Sequence, residues 1–188
     1  MNLEKILAQY DAMFGTNSLE EIEDYLVNTI TEAKEKSEYG IVITLLNEII
    51  GFCRDTTQKK KALRYCEELQ KILKLMKLEG RIDYATSLLN VANAYRAFGL
   101  FEESLRLYEI VEETYKLQVA PTDFMYASLY NNWSLLYQEM EDYIGARDML
   151  RKALEIADAY EEAVIPQATT RANLAATLLQ IGTDEAYE

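Results

Sequence analysis

The sequence predicts an all-α fold, a right-handed superhelical solenoid of antiparallel helix pairs. Three observations lead there. The chain repeats itself at a spacing of 42 residues, and within each copy the large residues recur at three- and four-residue steps. Two prolines and seven glycines in 188 residues leave few tight turns, which argues against a sandwich or barrel of short strands.

The repeat is visible by eye. A slide of 42 places Tyr84 over Tyr126, Ala85 over Ala127, Asn90 over Asn132 and Tyr95 over Tyr137. A further slide of 41 sets Ala168, Asn173 and Ala175 over Ala127, Asn132 and Ser134. An upstream copy begins near Thr44, with Ala62, Ser104 and Ala146 spaced by 42. The repeats are expected near residues 1–40, 41–83, 84–125 and 126–166, with a partial copy over 167–188, all in a single repeat domain.

Each copy reads as two helices. Tyr130, Trp133, Ser134 and Tyr137 lie on one helical face, and Ala146, Leu150, Ala153 and Leu154 lie on one face of the partner helix. Gly99 and Gly182 each follow a first helix, where a left-handed residue ends it. Pro121 and Pro166 fall between copies, where a helix can begin with proline. Near the N-terminus, Ser18 with Glu21 three residues later forms a capping box that opens a helix.

These positions resemble the tetratricopeptide repeat family. Its pattern of large, small, aromatic, alanine and large residues is met by Leu88, Ala92, Tyr95, Ser104 and Tyr108, and again by Tyr130, Ser134, Tyr137, Ala146 and Leu150. Leu46, Ile50, Cys53, Ala62 and Cys66 fit less well, because Ile50 is not small. The long repeat is similar to those of kinesin light chains and bacterial peptide-sensing regulators. The resemblance implies a protein- or peptide-binding module, without cofactor or catalytic centre, whose ligand lies in the concave groove between first helices.

Composition narrows the function independently. The net charge is −13, which disfavours binding of a phosphate backbone, and the chain has no histidine, so neither a His-based zinc site nor a Ser-His-Asp triad can be built. No Gly-rich phosphate loop or nucleophile elbow is present. No apolar run is long enough for a membrane span, and with only two cysteines the chain reads as soluble and cytoplasmic. Cys53 and Cys66 occupy packing positions and are expected to be inert core thiols. Residues 54–81 hold nine basic and four acidic residues, a local net charge of 9 − 4 = +5 that leaves −18 for the remainder. Within that stretch Lys60, Arg64, Lys71 and Lys74 form a stripe along one helix.

Family resemblance places the groove residues in register. Asn47, Asn93 and Asn131 are amides suited to an extended peptide backbone, and Gln138 lies on the same surface. Arg54 and Arg96 hold equivalent positions and could clamp an acidic group or a C-terminal carboxylate. The bland alternative pairs them with Asp55 and Glu139. Asn90, Asn132 and Asn173 track the repeat and are expected to bond the loop between helix pairs.

The segment TDEAYE after Gly182 reads as the start of another helix, so the chain is expected to be an N-terminal fragment. Two alternatives to simple peptide binding follow. The region could regulate a catalytic domain beyond residue 188; it is similar to regions that precede nucleotidyltransferase-like domains in bacterial proteins, although no residue here carries that likeness. It could also form a homodimer through an open C-terminal end where Leu174 and Leu178 would be bare.

Overall fold

The computed structural model describes residues 1–182. Among them are nine α-helices and no strands: α1 (Leu3–Met13), α2 (Leu19–Glu35), α3 (Tyr39–Asp55), α4 (Lys59–Leu75), α5 (Ile82–Ala97), α6 (Phe101–Gln118), α7 (Phe124–Glu139), α8 (Tyr143–Ala157) and α9 (Val164–Ile181). They form two compact units, Met1–Glu79 and a second that begins at Gly80.

In the first unit the starts of α1 and α2 are fixed by polar caps. Asn2 accepts from the Lys5 amide at 2.9 Å, and the Ser18–Glu21 capping box is closed in both directions. The core comes from one face of each following helix: Ile22, Leu26 and Ile30 of α2, Leu45, Leu46, Ile49 and Cys53 of α3, and Cys66, Leu69 and Leu73 of α4. Ion pairs tie α2 to α4 at the rim, Lys61 to Glu23 at 2.5 Å and Lys34 to Glu68.

The second unit packs α5 on α6, α6 on α7, α7 on α8 and α8 on α9. Its small residues sit where helices approach most closely: Ala92, Ser104, Ser134 and Ala146 are fully buried. Ser104 donates its hydroxyl to the Ala92 carbonyl at 2.8 Å, so a polar side chain at this close approach is satisfied across the α5–α6 pair. Trp133 fills the seam between α6 and α7, its ring 5.8 Å from Tyr108 and 6.2 Å from Tyr137.

The turns inside the α3–α4, α5–α6 and α7–α8 pairs share one device. Thr57, Gly99 and Glu141, 42 residues apart, all have positive φ (59°, 77° and 61°). In each case the next residue's amide reaches back to the carbonyl five residues earlier, Gln58 to Cys53 at 2.7 Å, Leu100 to Tyr95 at 2.9 Å and Asp142 to Tyr137 at 2.9 Å. This is the Schellman arrangement that satisfies orphan carbonyls at a helix end. Only one of the three turns uses glycine.

Two expectations change here. Pro166 lies inside the first turn of α9 rather than at its first residue, where an absent N–H still leaves no hydrogen bond unmade. Leu178 is buried and Leu174 half-buried, because packing of α9 on α8 covers that face; Leu179 remains 54 % exposed. The expected continuation over residues 183–188 lies outside the described residues.

Candidate functional site

The candidate site lies in the second unit, where α5, α7 and α9, the first helices of successive pairs, present side chains to one another. A cleft of about 360 Å³ opens between α7 and the N-terminal half of α9. Leu135, Ile165 and Pro166 give it apolar walls, and Asn131, Asn132 and Asn173 border it with amides. Further along the same two helices a second, more polar cleft of about 380 Å³ is lined by Gln138, Glu139, Thr177 and Gln180.

Asn131 donates to the Thr170 hydroxyl at 2.6 Å and to the Ala127 carbonyl at 3.3 Å. Gln138, two helical turns on, donates to the Thr177 hydroxyl at 2.8 Å. Each threonine passes its own proton to the carbonyl four residues back, Thr170 to Pro166 and Thr177 to Asn173, both at 2.8 Å. The directions of these bonds are therefore fixed, and the Asn131 carbonyl oxygen is left buried without a partner. An unpaired acceptor shielded from water is costly.

Arg96 forms an ion pair with Glu139 across α5 and α7, and its Nε is a second buried group with no partner. Asn93 is occupied: its oxygen accepts from the Tyr108 hydroxyl at 2.7 Å. Burial pushes the Tyr108 phenol up to about 12, against the opposing pull of the Arg96 charge.

The first unit holds the other two sequence candidates. Asn47 donates back to the Ile43 carbonyl on its own helix at 3.0 Å, and Arg54 donates to Asp55 at 2.9 Å. Both arginines thus engage the carboxylates that the bland alternative named. Asn132, expected to bond a loop, instead donates to Ser128 on its own helix at 2.9 Å, because its side chain stands on a half-exposed face with the i−4 carbonyl in reach. Sequence reasoning missed Thr170 and Thr177, whose seven-residue spacing matches that of Asn131 and Gln138 and could have signalled the pairing.

Among the described residues no group of His, Cys, Asp and Glu side chains could hold a metal ion, and no helix is long and apolar enough to cross a membrane. The tetratricopeptide repeat family model matches residues 85–109, in α5 and the first half of α6, and 127–157, in the α7–α8 pair. These two helix pairs are tetratricopeptide repeats. The fold of the repeats is shared with solved structures. BtubC (BKLC) from P. vanneervenii is 22 % identical with a TM-score of 0.85, over 98 % of this chain and 74 % of that one. A Podosopora anserina protein described as a kinesin light chain candidate with nearly identical TPR-like repeats is 16 % identical with a TM-score of 0.79, over 98 % of this chain and 90 % of that one. No curated protein matches the sequence. The all-α repeat fold here is that of tetratricopeptide repeats, which are in general protein-interaction scaffolds.

Proposed function

We propose that the chain is a non-catalytic peptide-binding module and that the α7–α9 cleft of the second unit is its binding surface. The observation that carries this reading is the buried, unpartnered Asn131 oxygen beside an apolar cleft of about 360 Å³. An extended peptide would place a backbone N–H on that oxygen and an apolar side chain against Leu135 and Ile165. The neighbouring amides of Asn132 and Asn173 suit backbone recognition, which is tolerant of sequence. The unused Nε of Arg96 favours a ligand with an acidic group or a C-terminal carboxylate further along the groove.

The test is selection of a random peptide library on the chain, followed by titration of the recovered peptides against two variants. Ser128→Trp fills the cleft mouth from an exposed position on α7, and Asn131→Ala removes the acceptor. Both are expected to weaken binding by tenfold or more on the scale of about 1.4 kcal/mol per factor of ten. Recovered peptides that bind Ser128→Trp as well as the parent chain would overturn the reading.

A further inference from the structure

The outward faces of α4 and α6 occupy the same register in successive repeats, and at three positions of that register their charges are opposite, while Arg64 and Arg106, Glu67 and Glu109, and Lys74 and Lys116 carry like charges. Lys60, Lys61 and Lys71 of α4 correspond, 42 residues on, to Glu102, Glu103 and Glu113 of α6, while Leu75 corresponds to Leu117. All these side chains reach solvent. Lys71 and Glu113 are 79 % and 71 % exposed, and Leu75 and Leu117 are 69 % and 79 % exposed.

The two faces also differ in shape. On α6, Ile110 and Leu117 line a shallow cleft of about 470 Å³ rimmed by Glu109 and Glu113, with Arg106 at its edge. On α4, the exposed pair Leu75 and Met76 projects among Lys71, Lys74 and Lys77. One face is an apolar notch with an acidic rim; the other is an apolar knob with a basic rim. An exposed leucine at such a position, beside an excess of one sign of charge, is suited to a complementary surface rather than to solvent.

We propose that the Leu75–Met76 end of α4 in one copy seats in the α6 notch of a second copy. The lysines of α4 would then face Glu109 and Glu113, the latter exchanging its present ion pair with Lys116. Such a contact joins two different surfaces, so it is heterologous: each copy keeps a free knob and a free notch, and association continues into rings or open chains. Exposed ion pairs are individually weak and are screened by salt. The assembly is therefore concentration-dependent and dissolves as ionic strength rises.

Sedimentation velocity on the full chain and on two charge-reversed variants tests this. In low salt, at about 0.01 M ionic strength where screening is weak, the parent chain is expected to gain average mass with concentration and to lose it in strong salt. The variant Lys71→Glu/Lys74→Glu makes both faces acidic, and Glu109→Lys/Glu113→Lys makes both basic; each alone is expected to stay monomeric. Mixed in equal amounts they restore complementary faces in alternation and should assemble. Circular dichroism confirms that each variant remains helical. A parent chain that stays monomeric at every concentration, or variants that assemble alone as the parent does, would overturn the proposal.

Discussion

Asn131 and Thr170, 39 positions apart in sequence, meet across α7 and α9 in a hydrogen bond of 2.6 Å, and Gln138 and Thr177 repeat it two turns later. The same side chains that border the candidate groove therefore also hold its two walls together. Groove shape and groove chemistry cannot be varied independently in this repeat pair.

That coupling is measurable. A double-mutant cycle of Asn131→Ala with Thr170→Val, read by urea unfolding, should give an interaction energy of about 0.5–1.5 kcal/mol, the net worth of one such hydrogen bond. The cycle of Gln138→Ala with Thr177→Val should give a similar value. The crossed pair, Asn131→Ala with Thr177→Val, should be additive, since those two side chains share no bond. Equal coupling in all three cycles would mean that the threonines act through helix packing and not through the amides.

The turn residues offer a second prediction. Glu141 holds φ at 61°, a conformation that costs an L-residue roughly 1–2 kcal/mol, where the equivalent Gly99 adopts it freely. Glu141→Gly should raise the unfolding free energy by about 0.5–1 kcal/mol, the gain being reduced by the extra freedom of glycine in the unfolded chain. Glu141→Ala, which keeps the Cβ, should give no such gain. A stabilisation by alanine as large as that by glycine would show that the Glu141 charge, not its backbone, is the burden.

Those turns also mark the limit of what the sequence discloses. Gly99 announces its turn, whereas Thr57 and Glu141 adopt the same conformation because the neighbouring helices impose it. The pattern positions behaved more simply: Leu88 and Ala92 of α5 and Ser104 and Tyr108 of α6 are buried because helical spacing puts each pair on one face of its helix, and spacing is readable from one chain. The site was harder. Arg96 could be placed at the end of its helix, but its pairing with Glu139 depends on where α7 lies beside α5, a relation between distant segments. Asn132 lost its expected role for a local reason, since the carbonyl four residues back competes with any loop.

The two thiols give a third prediction. Cys53 and Cys66 are fully buried, and desolvation pushes their pKa values up to about 11 and about 12. At about pH 8 the reactive thiolate is then scarce as well as inaccessible. Both should resist an aromatic disulfide reagent in the folded chain and label only as denaturant opens the first unit, along one shared unfolding curve. Rapid stoichiometric labelling of either thiol without denaturant would contradict the packing assigned to α3 and α4.

A last prediction concerns acid. Glu112 on α6 is half-buried, and burial alone would push its carboxyl pKa up. Hydrogen bonds from Lys116 at 2.8 Å and from the Tyr130 hydroxyl at 2.9 Å, with the charges of Lys116 and Lys152, outweigh that and hold it below the ordinary carboxylate value of 4.5. A carboxylate whose folded pKa is depressed binds protons more readily in the unfolded chain. Its contribution is therefore fully present above the unfolded value and is lost as pH falls through the folded one. Unfolding free energies measured from about pH 7 down to about pH 3 should fall less steeply below pH 4.5 in Glu112→Gln than in the parent chain. Tyr130→Phe removes one of the two hydrogen bonds and should give an intermediate slope. The Tyr130 hydroxyl bonds the charged Glu112 carboxylate more strongly than the neutral acid, so the difference between the parent and Tyr130→Phe should narrow at the acid end. An acid limb identical in all three proteins would place the acid-sensitive carboxylates elsewhere in the chain.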